Sequence, residues 1–133
     1  MNTSSSASLG RGRSGFTLVE LLVVMAIMAT LLSIAAPRYI ASLELAKESA
    51  LRTNLRVLRE AIDRHRSDTG RFPSNLDQLV EARYVRAIPE DPMTDSRTTW
   101  VMVPHPDGVT QGVYDVRSAA PGVARDGSVF ALW

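Results

Sequence analysis

Arg11-Gly12-Arg13-Ser14-Gly15-Phe16-Thr17-Leu18-Val19-Glu20 leads directly into residues 21–36, a run with no charged side chain, and the rest of the chain takes its place from this junction. Residues 16–36 number 21, which at about 1.5 Å per helical residue span roughly 30 Å, the hydrocarbon thickness of a bilayer. Within that span only Glu20 is ionised. A carboxylate in an apolar setting is costly, so it requires a partner or a purpose. A stray acid that snorkels to the headgroups is the plainer alternative.

The 133 residues, 45% of them hydrophobic and 22% charged, leave room for one membrane segment and one small domain. A net charge of +1 points to neither nucleic acid nor an acidic surface as a partner. The chain has no cysteine, which excludes disulfide staples and thiolate chemistry and leaves the compartment open. Residues 1–14 are rich in Ser, Gly and Ala, carry only positive charge, and are expected to be disordered. A basic leader before an apolar run reads as the cytoplasmic flank of a single-pass segment. An ordinary signal peptide would instead be cut beyond the run, near residues 33–36. Two features oppose that reading: the run exceeds a usual signal core, and it carries Glu20.

Gly15-Phe16-Thr17-Leu18-Val19-Glu20-Leu21-Leu22-Val23-Val24 resembles the prepilin-type N-terminus of the type IV pilin and type II secretion pseudopilin superfamily. The resemblance implies that residues 1–15 are a leader cut off after Gly15 by a membrane-embedded prepilin peptidase, with N-methylation of Phe16. It implies that residues 16–36 stay on the mature protein as a transmembrane and filament-core helix, and that residues 37–133 form a periplasmic domain. The chemistry agrees: glycine lets a scissile bond approach a protease closely. Cleavage frees an amine on Phe16 that is positive near neutral pH. Glu20, one helical turn on, then has a cation to meet, on its own chain or on a neighbour, which makes it a register device for stacking subunits.

Pro37 predicts a kink or a locally opened stretch, because it removes a helical hydrogen bond and crowds the preceding turn. Pilin-like chains carry a proline at this distance, and the resemblance gives it a part in assembly; the alternative is that the membrane helix simply ends there. A continuing helix is favoured because residues 38–66 contain neither Gly nor Pro. Leu51, Leu55, Leu58, Ile62 and His65 form one apolar stripe, extended backwards by Ile40, Leu43, Ala46 and Ala50. Glu48 with Arg52, Arg59 with Asp63 and Glu60 with Arg64 are spaced as i,i+4 pairs, and the face with Arg52, Arg56 and Arg59 reads as solvated.

Gly70 is placed to stop the helix. Ser74 and Asp77 predict a capped short helix over residues 75–82 burying Leu76, Leu79 and Val80. Residues 98–103, 112–117 and 128–132 are strand candidates, the first two joined through the Asp107-Gly108 turn. The expected class is therefore α+β: one long N-terminal helix laid on a small three-stranded antiparallel sheet. The run Gly70-Arg71-Phe72-Pro73, then a short helix, Tyr84-Val85, Ile88-Pro89 and Asp91-Pro92, resembles the major pseudopilin of type II secretion, the general secretion pathway protein G type.

Major pseudopilins hold calcium in a loop near the C-terminus. In this chain that resemblance falls on Asp126 and Asp115, with Asp107 further off, and the paired-acid run of such a loop is missing. Calcium takes six to eight oxygens, several of them carboxylate, so no cofactor is expected and the short tail is read as packing through Phe130 and Trp133, with calcium held foremost by Asp126 as the alternative. His65 and His105 lie far apart in sequence, and no Gly-rich phosphate loop or Gly-x-Ser-x-Gly elbow is present, so no enzyme is expected.

The resemblance implies a structural subunit of a homo-oligomeric fibre that promotes export of folded proteins. Its implied partners are the prepilin peptidase, an inner-membrane assembly platform, minor pseudopilins and membrane lipid, with no nucleic acid. The alternatives are a type IV pilus subunit for adhesion, motility or DNA uptake, and a single-pass membrane-anchored periplasmic binding module.

Overall fold

The computed structural model describes residues 15–133; the expected disorder of residues 1–14 and the arginines of the leader lie outside the described residues. In chain order the elements are α1 (Leu18–Thr69), α2 (Asp77–Glu81), β1 (Val101–Pro104), β2 (Val113–Arg117) and a 3-10 turn (Phe130–Leu132). The chain divides into two compact units, up to Tyr39 and from Ile40 onward, which are taken separately.

In the first unit, α1 begins at a reciprocal cap. The Thr17 carbonyl accepts the first helical bond from Leu21 N at 3.2 Å. The Thr17 hydroxyl accepts from Glu20 N at 3.2 Å, and the Glu20 carboxylate accepts from Thr17 N at 2.9 Å. Two of the amide donors that a helix start leaves unsatisfied are thereby met. From Phe16 to Ile34 every large apolar side chain is exposed, by 47–88%. A helix apolar on all sides belongs in a membrane or inside an assembly, and this one is long and apolar enough to cross a bilayer. Pro37 lies inside α1, which continues through it, so the helix does not end there. Thr30 and Ser33 donate their hydroxyls back to the Ala26 and Thr30 carbonyls, at 2.8 and 2.7 Å, which keeps these polar groups satisfied within the apolar run.

In the second unit, the stripe read from the sequence is the core. Leu51, Leu55, Leu58, Ile62 and His65 are all buried, joined by Ala61. The backward extension is not part of it: Ile40, Leu43, Ala46 and Ala50 are exposed. The stripe packs with Phe72, Leu76, Leu79, Trp100, Val113, Val116, Ala120, Ala124 and Phe130 in one cluster. Truncating a leucine at such a position typically costs about 2–5 kcal/mol. Helix α1 ends at Gly70, whose N–H bonds the Arg66 carbonyl at 2.8 Å and whose φ of 73° is the left-handed conformation that glycine adopts without strain.

The sheet differs from expectation. Two strands, not three, are present among the described residues: β1 and β2 pair antiparallel, Val101 opposite Arg117 and Met102 opposite Val116, with an irregularity between Val103 and Pro104. Residues 128–132 do not form a third strand. Val129 makes one isolated bridge with Val123, the Phe130 N–H reaches back to the Gly122 carbonyl, and Phe130–Leu132 turns as a 3-10 helix. The physical reason is that Phe130 must enter the core while Leu132 stays exposed, so the segment closes on its own loop instead of extending along β2.

The short helix is also capped otherwise than expected. Asn75 Oδ1 accepts from Gln78 N, and Gln78 Oε1 accepts from Ser74 N and Oγ, so Asp77 takes no part in these cap bonds. Val80 is half-buried. The connection that follows is pinned by polar contacts. Trp100 Nε1 donates to the Pro89 carbonyl at 2.8 Å and Asn54 Nδ2 to the Glu90 carbonyl at 2.8 Å. Asp91, fully buried, accepts from Ser118 Oγ and from Met93 N.

Candidate functional site

Two places in the chain carry the functional expectations: the start of α1 and the C-terminal loop. At the first, Gly15 precedes the helix and a Cβ built on it would meet nothing within 4 Å. Nothing in the described fold therefore requires glycine at this position. Phe16 is 88% exposed and immediately precedes the capping residue Thr17. Glu20 stands at the third helical position with its carboxylate turned back onto the Thr17 amide. The motif Thr-x-x-Glu before an apolar run is itself the sequence signature of this cap, a local role for Glu20 that its reading as a register device leaves out.

In the second place, the structure does not join Asp115 and Asp126 into one acidic site. Asp115 Oδ1 accepts from Arg59 Nε at 2.7 Å and from Val116 N at 2.8 Å, while Arg59 Nη2 also donates to the Val116 carbonyl at 3.0 Å. Asp126 Oδ2 accepts from Arg52 Nη2 at 3.1 Å, and its Oδ1 from Ser128 N and Oγ. The Ser128 bonds, followed by the Arg52 charge, hold the Asp126 carboxyl below its ordinary range. Asp107 is held lower still by the Thr110 hydroxyl and the Thr110 and Val109 amides, within its own turn. Among the described residues no group of three His, Cys, Asp or Glu side chains is disposed to hold a metal. The oxygens of Asp115 and Asp126 named here already accept from guanidinium, amide or hydroxyl donors, a donor set that does not fit a hard cation needing six to eight oxygens.

The arginine face is thus not simply solvated. Arg52 and Arg59 leave the expected i,i+4 partners, Glu48 and Asp63, and cross to the C-terminal segment; Glu48 instead accepts the Arg125 amide at 3.0 Å. Arg56 is exposed, as read.

A cleft of about 770 Å³ at the end of α1 is lined by His65, Arg66, Arg71, Phe72 and Gln78, among others. His65 Nδ1 donates to the Arg71 carbonyl at 2.9 Å, and Arg66 lies over the Phe72 ring at 4.5 Å. The His65 ring is thus committed to holding the turn after α1, and the lining contains no Ser, Cys or Lys nucleophile paired with a base.

Comparison with known proteins bears on the first of these places, the start of α1. The family model for the prokaryotic N-terminal methylation motif matches residues 10–36. The type II secretion system core protein G of Aeromonas hydrophila is 30% identical over 98 residues, covering 62% of this chain and 68% of that protein. The Escherichia coli K12 protein of the same name is 28% identical over 123 residues, 80% of this chain and 81% of its own. The competence protein ComGC of Halalkalibacterium halodurans is 33% identical over 73 residues, 55% of this chain and 72% of its own. No solved structure matches. A methylation-type N-terminus on an exposed apolar helix, carrying a small α+β domain, defines a pilin-like subunit. The chain belongs to the type II secretion core protein G family, the pseudopilins. These relatives are named as secretion and competence proteins, not as enzymes.

Proposed function

We propose that this chain is processed after Gly15, methylated on the new Phe16 amine, and assembled into a periplasmic fibre that promotes export of folded proteins across the outer membrane. The observation that carries the reading is the open space around Gly15, next to an apolar helix with no packing partner among the described residues. A glycine without a fold requirement suits a scissile bond that must lie extended in a peptidase. The leader would be cytoplasmic and the domain from Ile40 onward periplasmic, by the positive charge of Arg11 and Arg13.

Assembly would pack residues 16–36 of successive subunits together, each Glu20 meeting a Phe16 amine. In the single chain the Glu20 carboxylate already has a hydrogen-bond donor, Thr17 N. Docking would then exchange a bond in which only the carboxylate is charged for an ion pair in which both partners are. Pro37 would mark where the tightly packed fibre core gives way to the domain. An inner-membrane assembly platform and minor pseudopilins would be further partners, with energy supplied by a separate ATPase.

The experiment is Glu20→Val. It should be cleaved normally and inserted in the membrane, yet yield no fibre; wild-type fibre yield from this variant would remove the docking role. The match to a competence protein supports a second reading, a fibre of the DNA-uptake type. The two separate on which process, protein export or transformation, is lost in a deletion strain.

A further inference from the structure

In the C-terminal loop, one side chain of α1 stands where the family expectation places a metal. We infer that the Arg52 guanidinium replaces a divalent cation as the closure of this loop, fastening residues 122–133 to α1 through Asp126 and Trp133 together. The contacts converge on it from both sides. Arg52 Nη2 bonds Asp126 Oδ2 at 3.1 Å, and its Cζ lies 3.8 Å from the centroid of the Trp133 ring. Trp133 Nε1 donates to Ser128 Oγ at 2.8 Å, and Ser128 in turn bonds the other oxygen of Asp126. Phe130 meets Trp133 edge to face at 5.1 Å and is itself buried in the core. One turn earlier on α1, Glu48 Oε1 takes the Arg125 amide at 3.0 Å.

Charge distinguishes this arrangement from a cation site. The cleft of about 550 Å³ beside the loop is lined by Glu48 and Asp126, and equally by Arg52 and Arg125. Two carboxylates face two guanidinium-bearing side chains, so a calcium ion entering there would meet positive charge and too few free oxygens. An ion pair this exposed is weak by itself. Its strength here comes from planarity: a guanidinium can stack on an indole with its face and bond a carboxylate with its edge at once, which an ammonium cannot.

The closure also explains the overturned third strand. With its last residue held under Arg52, the segment turns as a 3-10 helix and cannot run on beside β2. The inference does not depend on the fibre reading, since it concerns one loop of one chain.

Amide hydrogen exchange of the full chain in detergent micelles tests it, read over residues 122–133 with the core amides of residues 55–62 as the folding control. Wild-type protection of the loop should be the same in millimolar calcium and in chelator. Arg52→Gln should raise loop exchange about tenfold, with the core unchanged, because the loop would open locally. Arg52→Lys should behave like Arg52→Gln. Slower exchange of the wild-type loop in calcium than in chelator would overturn the inference. So would unchanged loop protection in Arg52→Gln, or full protection in Arg52→Lys.

Discussion

Thr17 and Glu20 hold the start of α1 by two reciprocal hydrogen bonds, each side chain accepting from the other's backbone amide, at 3.2 and 2.9 Å. The acid that the apolar run makes costly is therefore already engaged before any neighbour arrives. Its cap is next to the bond whose cleavage would create a rival donor on Phe16. On the proposed assembly, docking and helix capping would act on the same carboxylate.

Thr17→Ala should remove the acceptor for Glu20 N and shorten α1 from its start. Loss of such a cap costs about 0.5–2 kcal/mol. Amide exchange of the chain in micelles should show Glu20 N exchanging several-fold faster, with Thr17→Ser restoring the wild-type rate. An unchanged Glu20 amide would mean that the side-chain cap does not hold this turn.

Gly112 sits where the chain passes close to the loop after α1. A Cβ there would lie 2.7 Å from Phe72 Cβ and 2.9 Å from the Phe72 carbonyl oxygen, at a backbone φ of 107°. Its neighbour Val113 donates to the Pro73 carbonyl at 2.7 Å. Gly112→Ala should destabilise by about 1–3 kcal/mol, from backbone strain and overpacking together. Urea unfolding in micelles measures it, and a midpoint equal to wild type would contradict the close approach.

Asp126 gives the pH dependence. Its folded pKa lies below the ordinary 3.8, chiefly through the Ser128 hydroxyl and amide, with the Arg52 charge adding to it. A depressed carboxylate contributes stability at pH above its unfolded value, and that contribution is lost as pH falls through the folded value. The melting temperature of Asp126→Asn should therefore lie below wild type at neutral pH, and the gap should close as pH drops beneath 3.8. A gap that persists in strong acid would contradict the assignment.

Local spacing made much of this molecule legible. The stripe from Leu51 to His65 follows from intervals of three and four residues, and Gly70 ends α1 as a terminal glycine should. Apart from the caps of α1 and the short helix, the departures are long-range. Arg59 meets Asp115 across 56 positions and Arg52 meets Asp126 across 74, so each looked like one half of a helical i,i+4 pair. Residues 128–132 have strand-forming composition, yet the core takes Phe130 alone and the loop folds back on itself. Ile40 and Leu43 continue the apolar pattern without finding the domain's core, because the packed cluster begins only at Leu51.

Processing at the Gly15 junction is read directly from the intact mass of the mature chain purified from membranes. Cleavage after Gly15 should leave a chain beginning at Phe16 with one methyl group added and the apolar helix retained. A chain that keeps its residues before Gly15, or that begins beyond the apolar run near residue 36, would contradict it.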